Sequence, residues 1–462
     1  MDGRTAFGRK LVALSGLLAG ALAGSATFVV AGSAVVTRGV DSTSAVVEAT
    51  HVPPLLTRAG EQIELEYDAY CVDAEAEATE TPCELEGTVF IRPGASGPFR
   101  ELRLANDDNT HQLVALVPDA LRSSRNGFTY YAVIAATSGR AVVTLPAGGS
   151  SAPHQSLPMG SPVEIDLGRH PFGRAARADD RIAEVAWGDG RNDAGLEPGR
   201  NLTPIGASAF DVDSSGAVVL LDQAHRRVLR WRNGSRSPAR VPLAIAGTLA
   251  DVALAPDGTL YVLESVSGPD RTTPLVRRFD HYGRQLESVE TAERGSSQIR
   301  LGPTGPVVLQ QPSGQWMPIA TAGTAVAPEI QRRRGRSGRP LHGGGEIVVL
   351  RLDNEIRVAV VGPAGVRRSW RIASETTLAE VQLADVLGRH VVVVARLYTD
   401  DADEFVALVL GAEGLVRQIS LDAAGWAETA PLGRFRLVGG SLYQLGSTPA
   451  GAFVDRFDLE VR

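Results

Sequence analysis

Arg332, Arg333, Arg334 and Arg336 fall within ten residues, QRRRGRSGRP, and together form the densest group of charges that could do chemistry. Planar guanidinium forks grip carboxylate or phosphate in two-point fashion, so the cluster is a candidate anion-binding site. Its glycines predict a flexible loop, and the plainer expectation is a solvated loop without a ligand. Asp251 in LADVAL and Glu380 in LAEVQL stand where strands are expected to begin, and both are candidates to face a central channel. For both, a solvated position at a strand entry is the plainer expectation. Cys71 and Cys83 are the only cysteines; an even, closely spaced pair predicts one disulfide in an oxidising compartment. Two cysteines without a nearby histidine pair leave a zinc shell half empty. No G-x-S-x-G, H-E-x-x-H, P-loop or C-x-x-C motif occurs, so the common nucleophilic, zinc and phosphate signatures are missing. His225 and His390 read as structural, and no catalytic residue is assigned.

These residues need a scaffold, and the composition predicts a β-rich one. Of 462 residues, 50 are glycine and 27 proline, dispersed between short Val/Ile/Leu runs as turns are between strands. A net charge of −7 supplies no overall field for nucleic acid. Arg4, Arg9 and Lys10 precede an uncharged stretch from Leu11 to Thr37, the layout of an export leader. Residues 1–40 therefore read as a signal peptide, cleaved near Ala21-Leu22-Ala23, or as an uncleaved membrane anchor. Either way the rest is expected to be secreted, or held on the outer face of the cytoplasmic membrane.

Residues 44–170 contain successive strand candidates: QIELEYDAYCV, LEGTVFIRP, FRELRLAN, QLVALVP, FTYYAVIAA, RAVVTLPA and PVEIDLG. Ile63, Leu65 and Tyr67 alternate with Gln62, Glu64 and Glu66, which predicts one buried face per strand. About seven such strands suit an immunoglobulin-like β-sandwich.

Over 178–462 a glycine-bearing turn followed by an apolar strand recurs six times, at Gly216, Gly258, Gly305, Gly345, Gly388 and Gly440. A spacing of about 40–50 residues is that of four-stranded propeller blades. The expected fold class is thus all-β, a β-sandwich followed by a six-bladed β-propeller. VQLADVL, HVVVVARLY, EFVALVLG and LVRQISL read as one complete meander, with the acidic DDADE at a hairpin tip. RIAEVAWG, before the first repeat, is expected to complete the last blade and so close the ring.

FDVDSSGAVVLLDQAHRRVLRW, from Phe210 to Trp231, resembles a repeat of the NHL family. Asp213, Gly216, Asp222, His225, Arg226 or Arg227 and Val228 fall on its pattern. Asp213 reads as the turn-former that accepts backbone N–H groups before Gly216. Six-bladed enzymes resembling gluconolactonases gather Glu, Asp and Asn ligands around a calcium-like ion, and that set is not evident here. The expectation is a non-catalytic extracytoplasmic binding or scaffold protein with no cofactor, meeting a protein, a glycan or an anionic cell-envelope polymer. The alternative is a metal-dependent propeller hydrolase or lyase, in which case Ca2+ would be bound.

Overall fold

The computed structural model describes residues 45–73, 80–81, 83–107, 112–137, 141–197, 199, 203–267, 272–293, 295–310, 314–430 and 433–459. The leader assigned to residues 1–40 and most of the acidic loop between the cysteines lie outside them.

Two sheets form the N-terminal part. In one, Ala45–Thr50, Glu64–Asp73, Gln112–Leu116 and Ala105–Asp107 lie side by side. In the other, the order is Leu56–Thr57, His154–Pro158, Phe128–Ala136, Leu85–Pro93 and Arg100–Arg103. Period-two alternation decides which side chains meet between them. Leu65 and Tyr67 are fully buried against Val89, Ile91, Tyr130 and Ile134, while Glu64 and Glu66 point outward. The disulfide between Cys71 and Cys83 is formed, Cys71 lying on Glu64–Asp73 beside the short strand Glu80–Thr81.

Among the described residues, six larger sheets and a two-stranded hairpin, Ala320–Thr321 with Thr324–Ala325, follow; each of the six is an antiparallel meander carrying one of the repeated glycines in the hairpin after its innermost strand. The first is Ala209–Val212, Val218–Asp222, Arg227–Trp231 and Ala239–Pro242; the second is Thr248–Leu254, Leu260–Ser267, Thr272–Phe279 and Gln285–Glu290. The fifth, Thr377–Leu387, His390–Tyr398, Asp403–Leu410 and Leu415–Asp422, is the meander expected from its sequence. Its two middle strands are buried on both faces, which explains their almost unbroken apolar runs. All six turn glycines have positive φ, from 58° at Gly388 to 142° at Gly305. At Gly345 a Cβ would also sit 2.2 Å from the Val361 carbonyl oxygen, so the turn tolerates no side chain.

The sixth sheet joins distant parts of the chain. Phe435–Val438, Ser441–Thr448 and Gly451–Asp458 are completed by Asp180–Ala186, paired antiparallel to Gly451–Asp458. Apolar Ala183 and Val185 of that strand enter the core shared with the first sheet, against Phe210 and Leu220.

Two features depart from the sequence expectations. PVEIDLG does not belong to the N-terminal sheets: Val163–Asp166 runs parallel to Gly365–Ala373 and makes a fifth strand on the fourth sheet, beyond its innermost strand Arg339–Pro340 and the strands Glu346–Leu352 and Glu355–Gly362. Its alternation is that of any half-buried strand, and alternation does not name a partner 200 residues away. The third sheet has three strands, Ser296–Gly302, Gly305–Gln310 and Gln315–Pro318, and the segment after it contains a helix, Pro328–Arg333, where a flexible loop was expected. Proline at the first helical position and Arg332 and Arg333 in the last turn suit the helix dipole.

The N-terminal sheets dock on the third and fourth of these sheets. Leu55, Leu56, Leu157 and Met159 pack on Val348, Leu350 and Ala359. The Arg357 guanidinium donates to both oxygens of Glu61 at 2.7 Å, and the Gln315 amide donates to the Ala152 carbonyl.

Candidate functional site

Each innermost strand contributes one charged residue to a set of mutual pairs between sheets, Thr377–Leu387 carrying Glu380 besides. In chain order these are Asp211, Asp251, Arg300, Arg339, Asp385 and Arg436. Asp251 has no solvent exposure and accepts hydrogen bonds from Arg436 at 2.5 Å, Arg300 at 2.7 Å and the Ile299 N–H at 3.0 Å. Asp211 accepts from the Leu254 N–H at 2.7 Å and pairs with Arg436 at 3.3 Å. Arg339 pairs with Asp385 at 2.6 Å. The aspartates share one local device. Each is followed by valine and accepts that valine's N–H, at 2.9, 2.9 and 2.7 Å. Asp211 and Asp251 also reach an N–H on the innermost strand of the next sheet, so a single carboxylate ties two neighbours together.

Burial sets the electrostatics. It pushes the Asp211 carboxyl up, against the pull of Arg436. Burial, reinforced by repulsion from Arg436, pulls the Arg300 guanidinium down to about 10. Three acids and three bases balance, and they are engaged with one another. Among the described residues, no group of three or more His, Cys, Asp or Glu side chains is placed to hold a metal ion.

A cavity of about 330 Å3 opens between the third, fourth and fifth sheets. Glu380 and Gln382 line it from Thr377–Leu387, Arg351 from Glu346–Leu352, and Val52 and Pro53 from the N-terminal part. Burial raises the Glu380 carboxyl, with Arg396 opposing.

The sequence candidates fare unequally. Asp251 faces inward as a channel residue would, but it is buried between two arginines and not solvated at a strand entry. Glu380 is half-buried at the cavity wall, also away from open solvent. The arginine cluster is dispersed: Arg332 binds Glu293 at 2.8 Å, Arg333 binds Glu329 on its own helix, and Arg336 binds Glu346 at 2.7 Å, while Arg334 closes the helix through its backbone. A helix turns successive side chains about 100° apart, which scatters what a loop could gather. DDADE does not meet the cluster either. Asp403 pairs with Arg396, and Glu404 is buried, accepting from His170 and the Gly173 N–H.

The segment Phe210–Trp231 is held by two carboxylates. Asp213 accepts the N–H groups of Ser215 and Ala217, as the turn reading requires. The fully buried Asp222 accepts from His225, Arg227 and the Gly195 N–H, fixing the loop segment at Gly195 that leads into the first sheet. Sequence reasoning missed Asp211, Arg300, Asp385 and Arg436, and it placed Arg339 in the arginine cluster of QRRRGRSGRP, not on an inner strand. The available signal was a recurrent Asp-Val in FDVD, LADVAL and LADVLG, together with lone arginines inside apolar strands such as QIRLG and RFRLV.

No protein-family model matches the chain, and neither does any protein of curated function. Solved structures similar to it include a virginiamycin B lyase from Staphylococcus aureus, at 10% identity and TM-score 0.34 over 60% of this chain and 98% of that one. A glucose dehydrogenase gives 14% identity and TM-score 0.33 over 54% and 96%. A protein of unknown function from Bacteroides caccae gives 14% and 0.31 over 48% and 85%. Scores of this size carry no argument about this chain's activity. The class is defined by the sheets themselves: antiparallel meanders in chain order, each left from an outer strand and the next entered at its innermost strand, with a strand from before the first meander paired into the last, make a β-propeller.

Proposed function

We propose that the chain is a six-bladed, NHL-like propeller joined to an immunoglobulin-like sandwich, and that it works outside the cytoplasm as a non-catalytic binding or scaffold protein. Its loops meet a protein or glycan partner. The observation that carries this reading is the mutual engagement of the inner-strand charges: Asp251 binds Arg300 and Arg436, and Asp385 binds Arg339. Catalysis in a propeller channel needs carboxylates or amides converging on a substrate or metal, and here the carboxylates converge on arginines. The leader-like residues 1–40 and the disulfide support an exported location. An anionic envelope polymer is a weaker partner on this reading, because Arg332 and Arg336 are engaged by Glu293 and Glu346.

The test is a panel of lactone and glycan substrates, combined with elemental analysis of protein purified without chelator. No turnover and no stoichiometric calcium are expected. Reproducible turnover that is lost on metal removal would instead establish a metal-dependent hydrolase or lyase.

A further inference from the structure

The cavity between the third, fourth and fifth sheets has features that the paired inner charges lack. Its wall is deformed on the side of Thr377–Leu387: the register against His390–Tyr398 shifts between Leu378 and Val381 and again between Val381 and Leu383. These two bulges take Ala379, Glu380 and Gln382 out of the ladder, and bulges commonly re-aim side chains next to binding sites. Gln382 is only 3% exposed, yet its amide oxygen has no hydrogen-bond partner. A buried acceptor without a donor is uncommon and asks for one from outside the chain.

Three arginines line the same space. Arg300 and Arg339 are held by Asp251 and Asp385, whereas Arg351 donates only to the Leu378 carbonyl, at 3.1 Å, and pairs with no carboxylate among the described residues. The lone acid on the wall is Glu380, whose carboxyl burial pushes up, against the pull of Arg396 and a hydrogen bond with Gln382. The remaining wall is mostly apolar, with Leu309, Val349, Leu383 and the half-buried Trp316, interrupted by Gln298 and Ser337, and Val52, 51% exposed, stands at the rim. A volume of about 330 Å3 is at the small end of ligand sites.

We propose that this cavity binds a small organic carboxylate that bears a hydroxyl or amino donor on the neighbouring carbon and an apolar tail. The carboxylate sits on the Arg351 guanidinium, the donor satisfies the Gln382 amide oxygen, and the tail lies against Leu309, Leu383 and Trp316. One unpaired guanidinium matches a single negative charge in two-point geometry, whereas a phosphate dianion would keep a second charge in an apolar pocket. This site is independent of whether the propeller meets a macromolecule.

Calorimetric titration of the whole chain tests it, with L-leucine, 2-hydroxy-4-methylpentanoate, 4-methylpentanoate and leucinol as probes. Leucine or its hydroxy analogue should bind in the millimolar range or tighter; the acid without the donor and the alcohol without the carboxylate should each bind at least tenfold more weakly. The stronger of the first two identifies the donor as amine or hydroxyl. Arg351→Gln should weaken binding at least tenfold. Gln382→Leu should also abolish it while the far-ultraviolet circular dichroism stays that of the parent; the substitution also removes the Gln382 hydrogen bond with Glu380, so Glu380→Gln, which keeps a side-chain hydrogen-bonding partner there, should bind at least as well as the parent. Silence from both donor-bearing acids, leucinol binding as tightly as leucine, Arg351→Gln or Gln382→Leu binding like the parent, or Glu380→Gln binding more weakly than the parent would overturn the proposal.

Discussion

Removing the Asp251 carboxylate leaves the buried Arg300 and Arg436 with Asp211, 3.3 Å from Arg436, as their one remaining inner-strand counter-ion among the described residues. Breaking a buried pair in this way costs about 3–5 kcal/mol, because the orphaned charge remains out of water. We therefore expect Asp251→Ala to lower the unfolding free energy by about that amount in a denaturant titration. Asp385→Ala should cost closer to 1 kcal/mol, because the Asp385 side chain is 26% exposed and solvent can take over for Arg339. A cost at Asp251 no larger than at Asp385 would show that the inner charges do not act as a tied unit. Asp251 was marked from the sequence by its place at a strand start. Its partners were not, because Arg300 and Arg436 are separated from it by 49 and 185 residues, and nothing in either local sequence says which carboxylate each will meet.

At the scale of strands and turns, the sixth sheet depends on a close approach. A Cβ on Gly451 would lie 2.0 Å from the Val185 carbonyl oxygen, so any side chain there forces Asp180–Ala186 outward. Gly451→Ala should destabilise by about 1–3 kcal/mol, the usual range for overpacking, and hydrogen exchange should show selective loss of protection at Ala183 and Val185. Gly440→Ala is the control: it carries only the strain of φ +92°, with no atom within 4 Å, and should leave those amides protected. This level of structure was the most legible in the sequence. Turn glycines, apolar middle strands and the closing strand all leave local signatures, since each follows from positive φ or two-sided burial. The fifth strand on the fourth sheet and the Pro328–Arg333 helix were not legible. The first is decided by a non-local pairing, and in the second a short run of arginines with flanking glycines looked like a loop although arginine is itself a good helix former.

The two halves of the molecule should respond differently to acid. His51 is buried in the N-terminal part, with its ring stacked on Tyr67 and hydrogen-bonded to the Tyr130 hydroxyl and the Glu66 carbonyl. Burial lowers it to about 4, and burial together with His51 drives His154 well below its ordinary value. Both are bases whose folded affinity for protons is below the unfolded one, so the unfolded chain binds more protons between about pH 6.5 and 4. Stability is present above that window and is lost as pH falls through it, by roughly 3 kcal/mol for His51 alone at about 1.4 kcal/mol per unit. The five tryptophans, at 187, 231, 316, 370 and 426, all lie in the propeller, whereas Tyr67, Tyr70, Tyr130 and Tyr131 lie in the N-terminal part. Because Tyr261, Tyr282, Tyr398 and Tyr443 lie in the propeller, the N-terminal part is followed by amide hydrogen exchange at Tyr67 and Tyr130: near pH 5 their protection should be lost before the tryptophan fluorescence shifts, with the gap closing at pH 7.5. A His51→Phe variant should narrow the gap at pH 5.

The pairing of Asp180–Ala186 with Gly451–Asp458 also sets a timetable. Arg181 and Asp455, joined at 2.8 Å across that seam, are 274 residues apart. At synthesis rates of roughly 5–20 residues per second the earlier strand waits about 14–55 s for its mate. Throughout that interval the nascent chain displays a ready hydrogen-bonding edge, a template for pairing with the wrong molecule. A chain stopped after Thr448 would make the wait permanent, and we expect it to accumulate as aggregate, from which a separately supplied peptide spanning 449–459 rescues soluble protein.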